Sequence, residues 1–154
     1  MEKKKKQNIA DINISKSKIF LTETPERTRE LGEKFAKKLK KGDIVFLKGE
    51  LGSGKTTFTQ GIARAFGNKG FARSSSFVLV SEYNADKCSL YHLDLYRLNP
   101  ASVWDLGIEE YLFSGNIAVV EWADRLVGAQ NDNTWSVEIE SFGDKRKIKI
   151  EKRK

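Results

Sequence analysis

The stretch DIVFLKGELGSGKTTFTQGIARAFG, residues 43–67, decides the fold. Its opening, DIVFLKG (43–49), is a short apolar run ending in glycine, the form of a buried parallel strand. Its close, KTTFTQGIARAFG (55–67), repeats Phe58, Ile62 and Phe66 at helical spacing before a glycine stop. Between them, Gly49 to Thr56 match G-x-x-x-x-G-K-[ST] at every fixed position. A strand, a glycine-rich loop and a helix in this order make a phosphate-binding device. Glycines let backbone N–H groups turn inward around phosphate oxygens, and the helix presents its N-terminal amides and dipole to the same anion. Gly52, Ser53 and Gly54 would line the phosphates and Lys55 would reach the β- and γ-phosphates. The Thr56 hydroxyl would sit on Mg²⁺, and Thr57 could add a bond to the α-phosphate.

Working outward, SKIFLT (17–22) reads as a strand. TPERTRELGEKFAKKLKKG (24–42) reads as a helix with Thr24 as N-cap, Pro25 at the first helical position, Gly42 past the end, and Leu31, Phe35 and Leu39 on one face. FVLVSEY (77–83) and SLYHLD (89–94) suggest two more strands joined by NADK, and NPASVWDLGIEEYLFSG (99–115) one or two short helices. NIAVVE (116–121) is another buried strand, and TWSVEIESFGDKRKIKIE (134–151) alternates as a hairpin turning at Gly143-Asp144. Strands alternating with helices predict an α/β sheet with helices on its faces, closed by a C-terminal β-hairpin. No internal repeat or linker interrupts it.

At 154 residues and 39% hydrophobic, the chain is sized for one core. The net charge of +7 suggests nucleic acid until its distribution is read. MEKKKK (1–6) and KRKIKIEKRK (145–154) carry the excess, while residues 7–144 hold 17 Lys and Arg against 19 Asp and Glu. Residues 1–16 are therefore expected to be a basic flexible tail, a solvated arm in preference to a specific tRNA contact, and 17–154 the domain. With Cys88 the only cysteine and His92 the only histidine, neither an internal disulfide nor a Cys/His zinc cluster is expected. No apolar run has the length of a signal peptide or a membrane span, so a cytoplasmic protein without a membrane partner is expected.

A nucleotidase of this kind needs an acid where a neighbouring strand ends, to hold Mg²⁺ or order the attacking water. IAVVE ends at Glu121 and LYHLD at Asp94, and the carboxyl ends of parallel strands are where ligands bind. Each acid could instead be a solvated strand-end charge or a helix cap. Trp122 could be a core anchor or an aromatic wall near the site. His92, in a strand-like run, reads as a structural histidine rather than a base. Arg73, Arg97 and Arg125 are candidates for neutralising γ-phosphate charge, although surface arginines are the commoner outcome. None of the eight aspartates has glycine three residues later, and the only Asn-Lys pair continues as Gly70-Phe71, so both guanine-nucleotide motifs are missing. Adenine is then the default base. An ATPase, a small-molecule kinase and a non-enzymatic nucleotide sensor all remain open on these grounds.

The ordered set TPERTRELG, GELGSGKTT, RSSSFVLVSEY, YHLDLYRL, LGIEEYL and VVEWADR resembles the TsaE (YjeE) family, the bacterial P-loop ATPases of tRNA threonylcarbamoyladenosine biosynthesis. The resemblance runs from about residue 17 to 151, and HLDLYRL and EW after the loop are its most particular parts. It implies a compact P-loop fold around a mixed central sheet and weak Mg²⁺-dependent ATPase activity, with the nucleotide alternating between ATP and ADP. It implies partnership with TsaB-like and TsaD-like proteins, through which tRNA is met indirectly. The transfer chemistry would belong to the TsaD-like partner, with the ATPase resetting the complex between turnovers. By position, Lys55 and Thr56 match the phosphate and Mg²⁺ residues, Glu121 the second metal-site acid, Asp94 the acid of the DLYRL motif, and Trp122 the aromatic beside the glutamate. Arg146 resembles a hairpin arginine that approaches the nucleotide, and Thr24 would lie by the base. The family's switch-like loop has Ser-Pro-Thr followed by an aromatic, whereas this chain has Ser74-Ser75-Ser76-Phe77, which keeps a hydroxyl at Ser76 but loses the restraint of proline.

Overall fold

A computed structural model describes residues 17–67, 80–84, 88–95, 107–122 and 133–153. The strands are β1 (Lys18–Thr22), β2 (Ile44–Lys48), β3 (Val80–Asn84), β4 (Ser89–Asp94), β5 (Ile117–Glu121), β6 (Thr134–Phe142) and β7 (Lys145–Lys152). The helices are α1 (Pro25–Ala36), α2 (Lys55–Ala65) and the single turn α3 (Glu109–Leu112). The seven strands among the described residues form one sheet in the order β1-β7-β6-β2-β5-β4-β3. Its centre, β6-β2-β5-β4, is parallel, and antiparallel strands complete both edges. The sheet is therefore mixed, with the C-terminal hairpin built into it beside β2.

This topology sets the position of everything that follows. The carboxyl ends of β1, β2, β4, β5 and β6 all lie at one end of the sheet, as their registers show: Leu47 pairs with Glu121 and Val137, and Glu121 with Asp94. β2 and β5 carry near-continuous apolar runs because both of their faces are covered. On one face Val45, Leu47, Val119, Val137, Ile139 and Ile148 pack under Leu31 and Phe35 of α1 and Phe58 and Ile62 of α2. On the other, Phe46, Val120 and Leu93 pack with Ile108 and Leu112. Each large side chain so buried contributes about 1.5–3 kcal/mol.

Helices α1 and α2 approach closely enough to need glycine at the contact. A Cβ on Gly61 would stand 2.0 Å from Arg29 O, and one on Gly32 2.3 Å from Phe58 O. Arg29 Nε donates to Gln60 Oε1 at 2.8 Å and Arg64 Nη1 to Glu26 Oε1 at 2.8 Å, tying the two helices at their rims. The helix that opens with Lys55 is thereby fixed against the sheet.

Thr24 caps α1 as expected, its side chain accepting from Arg27 N at 3.1 Å, with Pro25 following. The helix does not run to residue 42, however. After Ala36 the chain winds on with three-residue hydrogen bonds, Lys38 N to Phe35 O and Leu39 N to Ala36 O, until the Asp43 carboxylate takes the Lys40 N–H at 2.9 Å. That carboxylate also accepts from Trp135 Nε1 at 3.1 Å, so a residue of β6 anchors the turn into β2. A local side-chain acceptor competes with continued helix, and here it prevails. Of the predicted 99–115 segment, α3 is a single described turn, and Asn99 and Pro100 lie outside the described residues. So do the tail 1–16, the loop residues Ser74, Ser75 and Ser76, and Arg73, Arg97 and Arg125.

Candidate functional site

Between β2 and α2 the chain makes a tight loop, with Ser53 N donating to Glu50 O at 3.1 Å. Gly49 starts it where no side chain fits: a Cβ there would lie 2.5 Å from Ile139 O and 2.6 Å from Ser53 Oγ. Gly54 ends it at φ 110°, a left-handed conformation that L side chains avoid, and so serves as the N-cap of α2. A glycine cap has no side chain to satisfy the first-turn amides, so the α2 N-terminus keeps donors and positive dipole charge for an anion. Ser53 Oγ is buried without a hydrogen-bond partner among the described residues. Loop residues Glu50 to Gly54, Lys55, Thr56 and Thr57 line an open cleft of about 200 Å³ together with Glu121 and Trp122.

Lys55 lies in the floor of this cleft, only 6% exposed. Its ammonium donates to Gly49 O and, at 3.3 Å, to Glu50 O, and stands 3.8 Å from the centroid of the Trp122 ring. Opposite it, Thr56 Oγ1 donates to Glu121 Oε1 at 3.3 Å. Glu121 is almost fully buried, and its second oxygen, Oε2, is 3.0 Å from Nε2 of the equally buried His92. These contacts join residues from α2, β5 and β4 that are 65 and 29 positions apart in the chain. The parallel register is what brings them together, because His92, Asp94, Val119 and Glu121 project from the same face of adjacent strands.

Most of the expected residues meet at this point. Gly52, Ser53, Gly54, Lys55, Thr56, Thr57, Glu121 and Trp122 all line the cleft. Trp122 combines both readings, packing against the second core cluster while its ring faces Lys55, and it does so at φ 59°, an uncommon backbone conformation for an aromatic residue. Arg146 reaches the loop: Nη2 donates to Gly52 O at 3.4 Å and Nη1 to Lys145 O at 3.0 Å, which suspends its guanidinium over Gly54. Asp94 pairs with Glu121 in register and is half-buried, but does not itself line the cleft. Thr24 lies at the same end of the sheet, just beyond the Thr22–Arg146 pair, and its side chain is engaged in capping rather than in the cleft. His92, read from sequence as merely structural, is the buried partner of Glu121. The signal was present in YHLD, whose alternation sets His92 and Asp94 on one face.

The donors suit a polyphosphate and a hard divalent cation. Two oxygen donors, the Thr56 hydroxyl and the Glu121 carboxylate, lie together beside the N-terminus of α2. Mg²⁺ uses one or two such protein ligands and completes its shell with water and phosphate oxygens. Among the described residues no cluster of three or more His, Cys, Asp and Glu is arranged as an all-protein metal cage. No helix among them is long and apolar enough to cross a membrane.

Residues 22–148 match the family described as "Threonylcarbamoyl adenosine biosynthesis protein TsaE". Proteins named tRNA threonylcarbamoyladenosine biosynthesis protein TsaE are similar to most of the chain. That of Bacillus subtilis (strain 168) is 37% identical over 123 residues, covering 80% of this chain and 77% of the relative. That of Synechocystis sp. is 40% identical over 119 residues, covering 75% of each. The crystal structure of Bacillus subtilis YdiB superposes with a TM-score of 0.72 at 33% identity, covering 88% of this chain and 84% of that one.

Proposed function

Because the chain belongs to the TsaE family of threonylcarbamoyl adenosine biosynthesis proteins, we propose that it is a Mg²⁺-dependent ATPase serving tRNA threonylcarbamoyladenosine modification by acting on a TsaB–TsaD-type complex. The observation that carries the hydrolytic part is the convergence of Lys55, Thr56 and Glu121 beside an uncapped helix N-terminus. In this reading the amides of Gly52 to Thr57 hold the phosphates, and Lys55 exchanges its loop carbonyls for β- and γ-phosphate oxygens. Thr56 and Glu121 are the residues that would hold Mg²⁺, which when bound neutralises charge on the β- and γ-phosphates. Asp94, in register beside Glu121, adds a second carboxylate to that strand end and is assigned to ordering the attacking water. Arg146, anchored to Gly52 O, brings a positive charge over the loop where charge develops. Trp122 walls the cleft on the side of Lys55.

ATP is the proposed nucleotide, since the guanine-reading motifs are missing from the sequence. The partners would be TsaB-like and TsaD-like proteins, the TsaD-like one performing the transfer, with tRNA met through them and the cytoplasm as the compartment. Hydrolysis alone would be weak and would rise on adding the partners. The deciding experiment follows labelled phosphate from ATP, with and without the purified partner pair. Phosphate released to water, faster with partners, supports the proposal. Phosphate on a small acceptor would establish the kinase alternative, and none released would leave a nucleotide sensor. ATP-loaded and ADP-loaded protein should also differ in affinity for the partners by about 1–3 kcal/mol, because a ligand shifts an equilibrium only through differential interaction with its states.

A further inference from the structure

We propose that His92 is a positioning residue for the nucleotide site, fixing the Glu121 carboxylate so that one oxygen alone is presented to Thr56 and the cation. The inference rests on the reading of Glu121 as a cation ligand, and deepens it. A carboxylate that binds a cation only accepts hydrogen bonds, so in that reading His92 carries its proton on Nε2 and donates it to Glu121 Oε2 over the 3.0 Å that separate them. Glu121 Oε1 accepts from Thr56 Oγ1. With one oxygen tied down on each side, the carboxylate plane cannot rotate about its terminal torsion, which is otherwise broad and roughly two-fold. Both side chains are within a few per cent of complete burial.

The backbone enforces the same geometry. His92 pairs with Val119 in the β4–β5 register, and Glu121 lies two residues further on the same face, so the imidazole reaches diagonally to the carboxylate from a strand that cannot slide. A hydrogen-bonded partner behind a metal ligand orients it, and removing such a partner generally costs about 10–100-fold in metal affinity or activity. The phosphate grip, by contrast, is held by α2 and its loop and does not involve His92.

Two polar substitutions separate positioning from packing. Gln can place its amide N–H where Nε2 stands, whereas Asn is one methylene too short to reach. Calorimetric titration with a non-hydrolysable ATP analogue, with and without Mg²⁺, reads the gain in affinity that Mg²⁺ supplies, and thermal melting checks folding. His92→Gln should keep the wild-type Mg²⁺ gain within about threefold, His92→Asn should lose about tenfold of it, and both should bind the analogue without Mg²⁺ as the wild type does. Steady-state hydrolysis should then show His92→Asn needing correspondingly more Mg²⁺ for half-maximal rate. A folded His92→Asn protein with the full gain, or Gln and Asn variants that lose it equally, would overturn the proposal. Should His92→Asn not fold, His92→Gln decides alone: retention of the gain supports the proposal and its loss defeats it. A wild-type protein that binds the analogue equally with and without Mg²⁺ would instead overturn the reading of Glu121 itself, and this inference with it.

Discussion

Replacing Glu121 by Gln separates the chemical role of this carboxylate from its structural one. Glu121 is 2% exposed and accepts from Thr56 Oγ1 at 3.3 Å and from His92 Nε2 at 3.0 Å. Gln is isosteric, and in one amide orientation its oxygen still accepts from His92 while its NH₂ donates to a Thr56 hydroxyl that has turned to accept. Both contacts survive, so the fold should lose less than about 1 kcal/mol, the net worth of one ordinary hydrogen bond. What cannot survive is the negative charge, or the lone pair that Oε1 offers a cation. Hydrolysis should therefore fall at least about tenfold, equivalent to roughly 1.4 kcal/mol of transition-state stabilisation. Glu121→Ala is the contrasting case, because it leaves the buried His92 N–H without its carboxylate partner at a cost of about 1–3 kcal/mol, a drop in Tm of roughly 2–12 °C. The assays are phosphate release at saturating ATP and Mg²⁺ and calorimetric melting of the same preparations. A Gln variant with wild-type turnover would refute the assignment of Glu121, and one melting as low as the Ala variant would refute the hydrogen-bond argument.

Lys55→Ala should abolish hydrolysis and weaken ATP binding roughly ten- to hundredfold, the worth of charge-assisted bonds to phosphate at about 1.5–3 kcal/mol; unchanged turnover by phosphate release would remove the phosphate-loop reading. Gly61→Ala raises intrinsic helix propensity but drives a Cβ to within 2.0 Å of Arg29 O. The helices must part, so a loss of about 1–3 kcal/mol is expected from thermal or urea unfolding, and a more stable variant would contradict the close packing of α1 on α2. Glu26, exposed on α1, has its carboxyl held below its ordinary 4.5, first by the hydrogen bond from Arg64 and further by Arg64's charge and Arg29. A lowered folded-state value means stability that is present above pH 4.5 and disappears as pH falls through the lowered value. The small Tm deficit of Glu26→Gln at neutral pH should vanish in acid, and a deficit persisting there would assign it to something other than charge.

Local patterns carried much of this fold, and where they failed the cause was a contact between distant residues. β4 has the ends that its alternation predicts, and the hairpin turns at Gly143-Asp144 as its turn residues predict, because alternation and turn chemistry are written in neighbouring residues. Helix α1 was overrun because Asp43, which ends the winding at Lys40, is itself anchored by Trp135, 92 positions later. The mixed character of the sheet came from family resemblance rather than periodicity, since no pattern along β6 says that it will pair parallel to β2 and antiparallel to β7. In the site, the loop and Glu121 were legible because each ends a strand. Arg146 followed only from resemblance, as its reach to Gly52 depends on hairpin register. His92 is the buried, hydrogen-bonded structural histidine that its strand pattern predicts, but its partner, in another strand 29 residues on, is not written in that pattern.

The arrangement around Lys55 bears on how tightly this site can hold a nucleotide. A buried ammonium must be compensated, and here the Gly49 and Glu50 carbonyls and the face of Trp122 already do so. A polyphosphate bound as proposed would therefore not meet a bare charge: it would displace main-chain oxygens from the lysine, and the net gain would be the difference between two sets of hydrogen bonds rather than the sum of one. Trp122, at φ 59°, packs against the core cluster on one side and faces the Lys55 ammonium on the other. In the proposed function, a Lys55 that turned to phosphate would leave the Trp122 ring without its cation, next to Glu121. Lys55 and the Glu121 carboxylate that faces Thr56 are thus joined through Trp122, and under the proposed function that residue would be the route by which nucleotide state reached the end of β5.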